Sequence, residues 1–216
     1  MEVHMDRIDQ LPEFEELQRV RAAYEGVTLE SLAAMEDRVT VWRYGKGARM
    51  LHRGYYCPSL AQDIVNGNAK RGKLLGHLRA GAIPECRYGL DQEGRPVCAE
   101  TEFQVEWILY EGQRQIGLTF SKRTGAPEAL SVCGYDEGGR LVSYLYGYAY
   151  SRDRKPSIIW AEGYRYGQDR MDVTLSDYLQ YGRELLTRQW RYCFALKGGA
   201  LSSYYRVSLG PKREIG

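Results

Sequence analysis

The apolar positions change period once along the chain. In Pro12–Tyr24, Phe14, Leu17, Val20 and Tyr24 recur at spacings of three, three and four, and Gly26 follows as a stop. That spacing predicts a helix, with Glu13, Glu15 and Glu16 in the first turn, where the helix dipole favours acids. Thr28 is placed to cap a second helix reaching about Asp37, with Leu29, Leu32 and Met35 on one face. The period then falls to two. Val39–Tyr44 is β-branched and aromatic, which predicts a strand turned by Gly45-Lys-Gly47 and returned by Ala48–Tyr56. Ser59 and Gln62 are spaced as a capping box before Leu60, Ile64 and Val65, which predicts a short helix. The glycine-rich stretch 66–82 predicts a loop or junction.

Beyond it the pattern is strands and turns. Phe103, Val105, Trp107 and Leu109 alternate with Glu102, Gln104 and Glu106, and Ile116, Leu118 and Phe120 return after a turn at Glu111-Gly112. Leu130 and Val132 lead to a turn at Tyr135–Gly139. After it, Leu141, Leu145 and Ala149 face one way, and Val142 with Tyr144, Tyr146, Tyr148 and Tyr150 the other. Pro156–Tyr166 pairs with Met171–Leu175, and Trp190–Leu196 turns at Lys197-Gly-Gly199 into Leu201–Leu209. The expected class is α+β. Residues 1–82 form a helical start plus a basic hairpin, 83–216 a mostly antiparallel β meander, and the two make one cooperative unit.

Composition narrows the function. A hydrophobic share of 44% supports a real core, while a mean hydropathy of −0.51 and the lack of any long apolar run give no membrane span. The polar start carries no secretory h-region, so the expected location is cytoplasmic. Five cysteines, an odd number with no C-x-x-C pair, argue against a disulfide framework or a zinc ribbon. No cofactor is expected. His4, His52 and His77 have no metal-site spacing. A Cys57 nucleophile with His52 or His77 lacks any accompanying signature. Glu102 and Glu106 stand about 13 Å apart by strand rise, too far for a glycosidase pair on one strand. No catalytic residue is singled out, and the chain reads as a binder.

Two surfaces are candidates. The row Tyr144, Tyr146, Tyr148 and Tyr150 offers either a flat aromatic face for a protein or glycan, or a layer packed on other elements. From Arg38 to Arg87 there are ten Lys/Arg against two acids, with Arg43, Lys46 and Arg49 flanking a glycine hairpin. That block suits either an anionic partner or plain solvation, and Trp42, Tyr44, Tyr55 and Tyr56 nearby could stack bases.

The phrase "YDEGGRL", Tyr135–Leu141, resembles the YD repeat of Rhs and teneurin shells. It recurs partially at 88–100, where Leu90 replaces the tyrosine and Pro96 the leucine, and in shorter form at 109–118. Locally, Asp accepts turn N–H groups, Gly takes positive φ, and Arg with an apolar residue opens the return strand. The layout also resembles immunity proteins of polymorphic-toxin loci. That resemblance implies a non-enzymatic, cytosolic protein that binds and blocks a cognate toxin domain, with no functional residue carried over. The alternative is a nucleic-acid or glycan binder using the 38–87 block and exposed tyrosines.

Overall fold

The computed structural model describes residues 7–48, 51–62, 71–148, 155–198 and 200–209. Among the described residues, twelve antiparallel strands make one sheet: β1 (Val41–Lys46), β2 (Lys73–Leu75), β3 (Cys86–Leu90), β4 (Pro96–Glu100), β5 (Gln104–Glu111), β6 (Arg114–Ser121), β7 (Pro127–Tyr135), β8 (Leu141–Tyr148), β9 (Ile158–Tyr166), β10 (Arg170–Tyr181), β11 (Glu184–Lys197) and β12 (Ala200–Ser208). The strands lie in chain order except that β1 sits between β2 and β3.

This corrects the α+β expectation. The chain is mostly β, and its α-helices among the described residues are α1 (Pro12–Ala23) and the short α2 (Leu29–Ala33). The period reading found both, but overstated their weight. Helix α2 stops after five residues and tightens into a 3-10 turn, Ala34–Arg38. Its start is as expected: Ser31 N–H donates to Thr28 Oγ1 at 3.1 Å, and Thr28 N–H to Ser31 Oγ at 3.0 Å. Helix α1 opens with Pro12, whose missing N–H costs nothing in a first turn. Its buried Leu17 and Val20 lie on β7, β8 and β9. With Ile8 and Leu11 they cover one sheet face, made of Trp107, Ile116, Leu118, Leu130, Leu145 and Ile159.

A second correction concerns Ala48–Tyr56, expected as a returning strand. Strand β1 pairs instead with β2 and β3. From Leu51 the chain lies out of the sheet plane, makes a 3-10 turn at Gly54–Tyr56, and crosses the opposite face. The Ser59–Gln62 cap forms, with Gln62 N–H donating to Ser59 Oγ at 2.9 Å. The helix expected after it lies outside the described residues.

The Asp-x-x-Gly-Arg turns share one mechanism. Asp136 accepts Arg140 N–H at 2.9 Å and Arg140 Nε at 2.8 Å on its two oxygens, and Asp91 does the same for Arg95 at 2.8 and 2.9 Å. Gly139 and Gly94 both stand at φ 75°. The arginines then lie over rings on neighbouring strands, Arg140 on Tyr166 and Arg95 on Tyr110.

Truncating Leu17, which is fully buried between α1 and the sheet, leaves a cavity that short α1 cannot close. Leu17→Ala is expected to lower stability by about 2–5 kcal/mol in urea titration, with the far-UV strand signal unchanged.

Candidate functional site

Residues 51–62 form a strap over the second sheet face, anchored by buried polar groups. At its centre the Arg53 guanidinium meets the Glu106 carboxylate of β5, Nη2 to Oε1 at 2.8 Å, with side chains 1% and 4% exposed. Arg53 Nε donates to Glu106 Oε1 at 2.9 Å, Nη2 to Ser131 Oγ of β7 at 2.7 Å, and Nη1 to Gln115 Oε1 of β6. Further along the strap, Ser59 Oγ donates to Glu162 of β9, and Leu60 N–H donates to the Tyr164 hydroxyl at 3.0 Å.

Local backbone makes this reach possible. Arg53 holds φ 58°, a left-handed conformation that costs a residue with a Cβ about 1–2 kcal/mol. The next residue, Gly54, stands at φ 52°, where a Cβ would also overlap the Tyr88 hydroxyl. On β6 the position beneath the pair is Gly117, where a Cβ would overlap Glu106, Ser131 and Arg53.

His52, the neighbour of Arg53, uses both ring nitrogens. Nε2 lies 2.8 Å from Glu106 Oε2 and Nδ1 2.8 Å from the Tyr144 hydroxyl. Burial lowers the His52 pKa, and Glu106 only partly counters this, so the ring is neutral. An ionised carboxylate only accepts, so Nε2–H donates to Glu106 and Nδ1 accepts from Tyr144. Burial alone would raise the Glu106 carboxyl, but Arg53 and His52 hold it well below the usual carboxylate range. Burial pushes Tyr144 well above the usual phenol value. The network is thus an ion pair and a neutral histidine, saturated by mutual hydrogen bonds.

Beside the strap an open cavity of about 690 Å³ lies over β3–β6. Its walls include Ala48, Leu51 and Ala99, its floor Glu106 and Thr119, and its mouth Ile83 and Phe103. The two mouth residues are 89% and 70% exposed. Thr119 is buried and its hydroxyl has no hydrogen-bond partner.

The tyrosine row divides by position. Tyr144 is 0% exposed and bonded to His52, so it belongs to the core and offers no partner surface. Tyr146 is half-buried, with its ring 4.3 Å from His52 and its edge on the cavity. Tyr148 is exposed, and Tyr150 lies outside the described residues. The three described rings stack at 6.5 and 6.2 Å.

The basic block is divided too. Arg53 is buried, Arg71 donates to the Ser59 carbonyl at 2.7 Å, and Arg87 pairs with Glu100 at 2.8 Å over the Trp42 ring. Arg43 is half-buried and donates to the Trp42 carbonyl at 3.0 Å. Lys46 is exposed, and Arg49 lies outside the described residues. Across β1 and β2, Lys46 stands opposite Lys73.

All five cysteines are buried and none is in a disulfide. Burial raises Cys86 and Cys133 to about 11, and raises Cys98 as well, which leaves those thiols protonated at neutral pH. No group of His, Cys, Asp and Glu among the described residues could hold a metal ion. No helix among them is long and apolar enough to cross a membrane. The reading of the sequence treated Glu106 as part of a polar face and weighed His52 only against Cys57, a pair it set aside. It missed Arg53 and Thr119.

Breaking the central pair exposes its worth. Arg53→Met leaves Glu106 buried without its cation and is expected to cost about 3–5 kcal/mol. The double variant Arg53→Met/Glu106→Leu should be more stable than that single one in the same urea titration. The pH dependence has a defined sign. His52 has a folded pKa below its unfolded one, so its neutral form costs no stability above about pH 6.5. Below that the unfolded chain takes the proton first and stability falls. The His52→Gln variant is therefore expected to lose less melting temperature than wild type between about pH 7 and pH 5. Comparison with protein-family models, with curated proteins and with solved structures yields no match.

Proposed function

We propose that this chain is a non-enzymatic binding protein whose partner is another protein. The carrying observation is where its large exposed apolar groups collect. Tyr181, Leu186, Tyr204, Tyr205, Val207 and Leu209 all lie on or beside β10–β12 and are exposed, Tyr181 at 77%. They fall at one end of the sheet, Leu186 and Tyr204 on one face and Tyr205 and Val207 on the other, and exposed apolar groups concentrated at one end mark an interaction region. The outer edge of β12 has no paired strand among the described residues, and across its nine residues it carries one charge, Arg206. A long edge with little charge is a template for strand addition by a partner. The opposite edge, β2, has three residues and begins with Lys73, a blunt end by comparison.

The finer reading is a cytosolic immunity protein that occludes a toxin domain by steric block. The resemblance of its Tyr-Asp-x-x-Gly-Arg turns and overall layout supports it. Five thiols outside any disulfide suit a reducing compartment. Tyr148, with the exposed edge of Tyr146, adds a second aromatic patch. The nucleic-acid alternative rests on Lys46 and Lys73, exposed cross-strand neighbours whose like charges repel unless an anion joins them.

The test charges the edge. Tyr205→Lys/Val207→Lys changes exposed side chains, so it is expected to melt as wild type does. In pull-downs from the source cells it should lose a partner that wild type retains in 0.5 M salt, about three times physiological ionic strength. That partner, co-expressed, should be toxic alone and silent with wild type. Capture that survives the double variant overturns the edge as the surface. Capture lost steeply with salt and with Lys46→Glu favours nucleic acid.

A further inference from the structure

We propose that the cavity between the strap and β3–β6 is a binding site for a small organic cation, a protonated amine or guanidinium carried on an apolar or aromatic body. The site lies at the far end of the sheet from β12 and stands independently of the protein-binding reading.

Four observations carry it. The cavity volume of about 690 Å³ falls within the range of small-molecule sites. Its walls at Ala48, Leu51 and Ala99, with the exposed Ile83 and Phe103 at the mouth, suit an apolar body. Its floor holds the Thr119 hydroxyl, 6% exposed and without a partner, across the β5–β6 ladder from Glu106. A buried orphan hydroxyl is a vacancy for one hydrogen bond. Charge decides which kind of ligand fills it. The described lining carries three acids, Glu85, Glu102 and Glu106, against one cation, Arg53, with His52 neutral.

Arg53 is already committed to Glu106, Gln115 and Ser131, so it has no guanidinium face for an anion. Glu85 accepts the N–H groups of Gly47 and Ala48 at 2.6 and 3.0 Å at the wall. Glu102 stands exposed at the mouth. The field into the cavity therefore draws cations and repels carboxylates and phosphates. Tyr146 and Phe103 supply ring faces on which an organic cation rests. An ammonium at the floor would donate to Thr119 Oγ1, which can accept.

Three probes of one shape separate the possibilities: benzylammonium, benzyl alcohol and benzoate, each titrated onto the full chain by NMR chemical shift. Benzylammonium is expected to bind saturably and about 2- to 5-fold tighter than benzyl alcohol, with benzoate weakest. Thr119→Val removes the orphan hydroxyl at constant shape and should weaken benzylammonium about 3- to 10-fold. Its melting temperature should match or exceed wild type. Glu102→Gln, at an exposed position, should erase most of the preference for the cation over the alcohol. If Thr119→Val melts low, Glu102→Gln carries the test alone. Benzoate binding as tightly as benzylammonium, no saturable benzylammonium shift, or constants untouched by Glu102→Gln overturns the proposal.

Discussion

The Arg53–Glu106 pair is the constraint on which the rest of the second sheet face depends. Two charges taken out of water cost several kcal/mol each unless geometry and further hydrogen bonds offset the loss. Here they do, because each polar atom has an assigned partner. Glu106 receives Arg53, Ser131 and His52, and Arg53 also reaches Gln115. That requirement spreads outward. Gln115 and Ser131 must be polar, Gly117 must have no side chain, and Arg53 must take a left-handed backbone for its head to arrive flat on the sheet. Gly54 follows because a second left-handed residue beside Tyr88 leaves no room for a Cβ. One ion pair therefore dictates residue types on four separated segments.

The two faces of the sheet solve burial by different means. The first is covered by α1 through aliphatic and aromatic contacts, where shape and area suffice. The second is covered by an irregular strap whose backbone needs partners, and the sheet supplies them as side chains. Tyr88 accepts Tyr55 N–H at 2.8 Å and Tyr164 accepts Leu60 N–H at 3.0 Å. Tyrosine suits this face because its ring buries area while its hydroxyl reaches a polar strap. That explains the alternating row in β8. Its period reports one sheet face, and its members differ because the cover ends partway: Tyr144 lies beneath the strap, Tyr146 at its edge and Tyr148 beyond it.

What could be read from the sequence was what neighbours in sequence determine. The caps at Thr28 and Ser59 and the turns at Asp91 and Asp136 form as their residues suggest, since donor and acceptor are within four residues. The turn at Gly182-Arg183 was missed, although Tyr181-Gly-Arg-Glu184 places glycine as Glu111-Gly-Gln-Arg114 does, at φ 59° and 58°. The strap was misread as a strand because its aromatics and Arg53 imitate alternation, while its real partners on the sheet lie 33 to 104 residues away. A signal for it does exist. A solvated strand face carries long charged side chains, whereas this one reads Gly117, Thr119, Ser131 and Cys133 around a single Glu106. Small uncharged residues around one acid announce that something lies flat against them.

The arrangement also separates rigidity from recognition. The strap ties β5 through β9 by side-chain bonds, so the middle of the sheet is fixed from both faces. Neighbouring strands rotate by roughly 20–25° each, so the ends of a twelve-stranded open sheet point in quite different directions. At one end the strap meets β3–β6 and leaves the acidic, apolar-walled cavity. At the other, β10–β12 project aromatic side chains and an unpaired edge. Each surface needs exposed apolar area that would destabilise a small domain with no reserve. The central network makes that exposure tolerable, because strap register depends on a matched ion pair rather than on the residues at either end. A one-residue slip of the strap would strand Glu106 without Arg53, whereas changes at Phe103 or Tyr205 leave that match intact. Recognition surfaces can therefore vary at the ends while the fold stays specified from the middle.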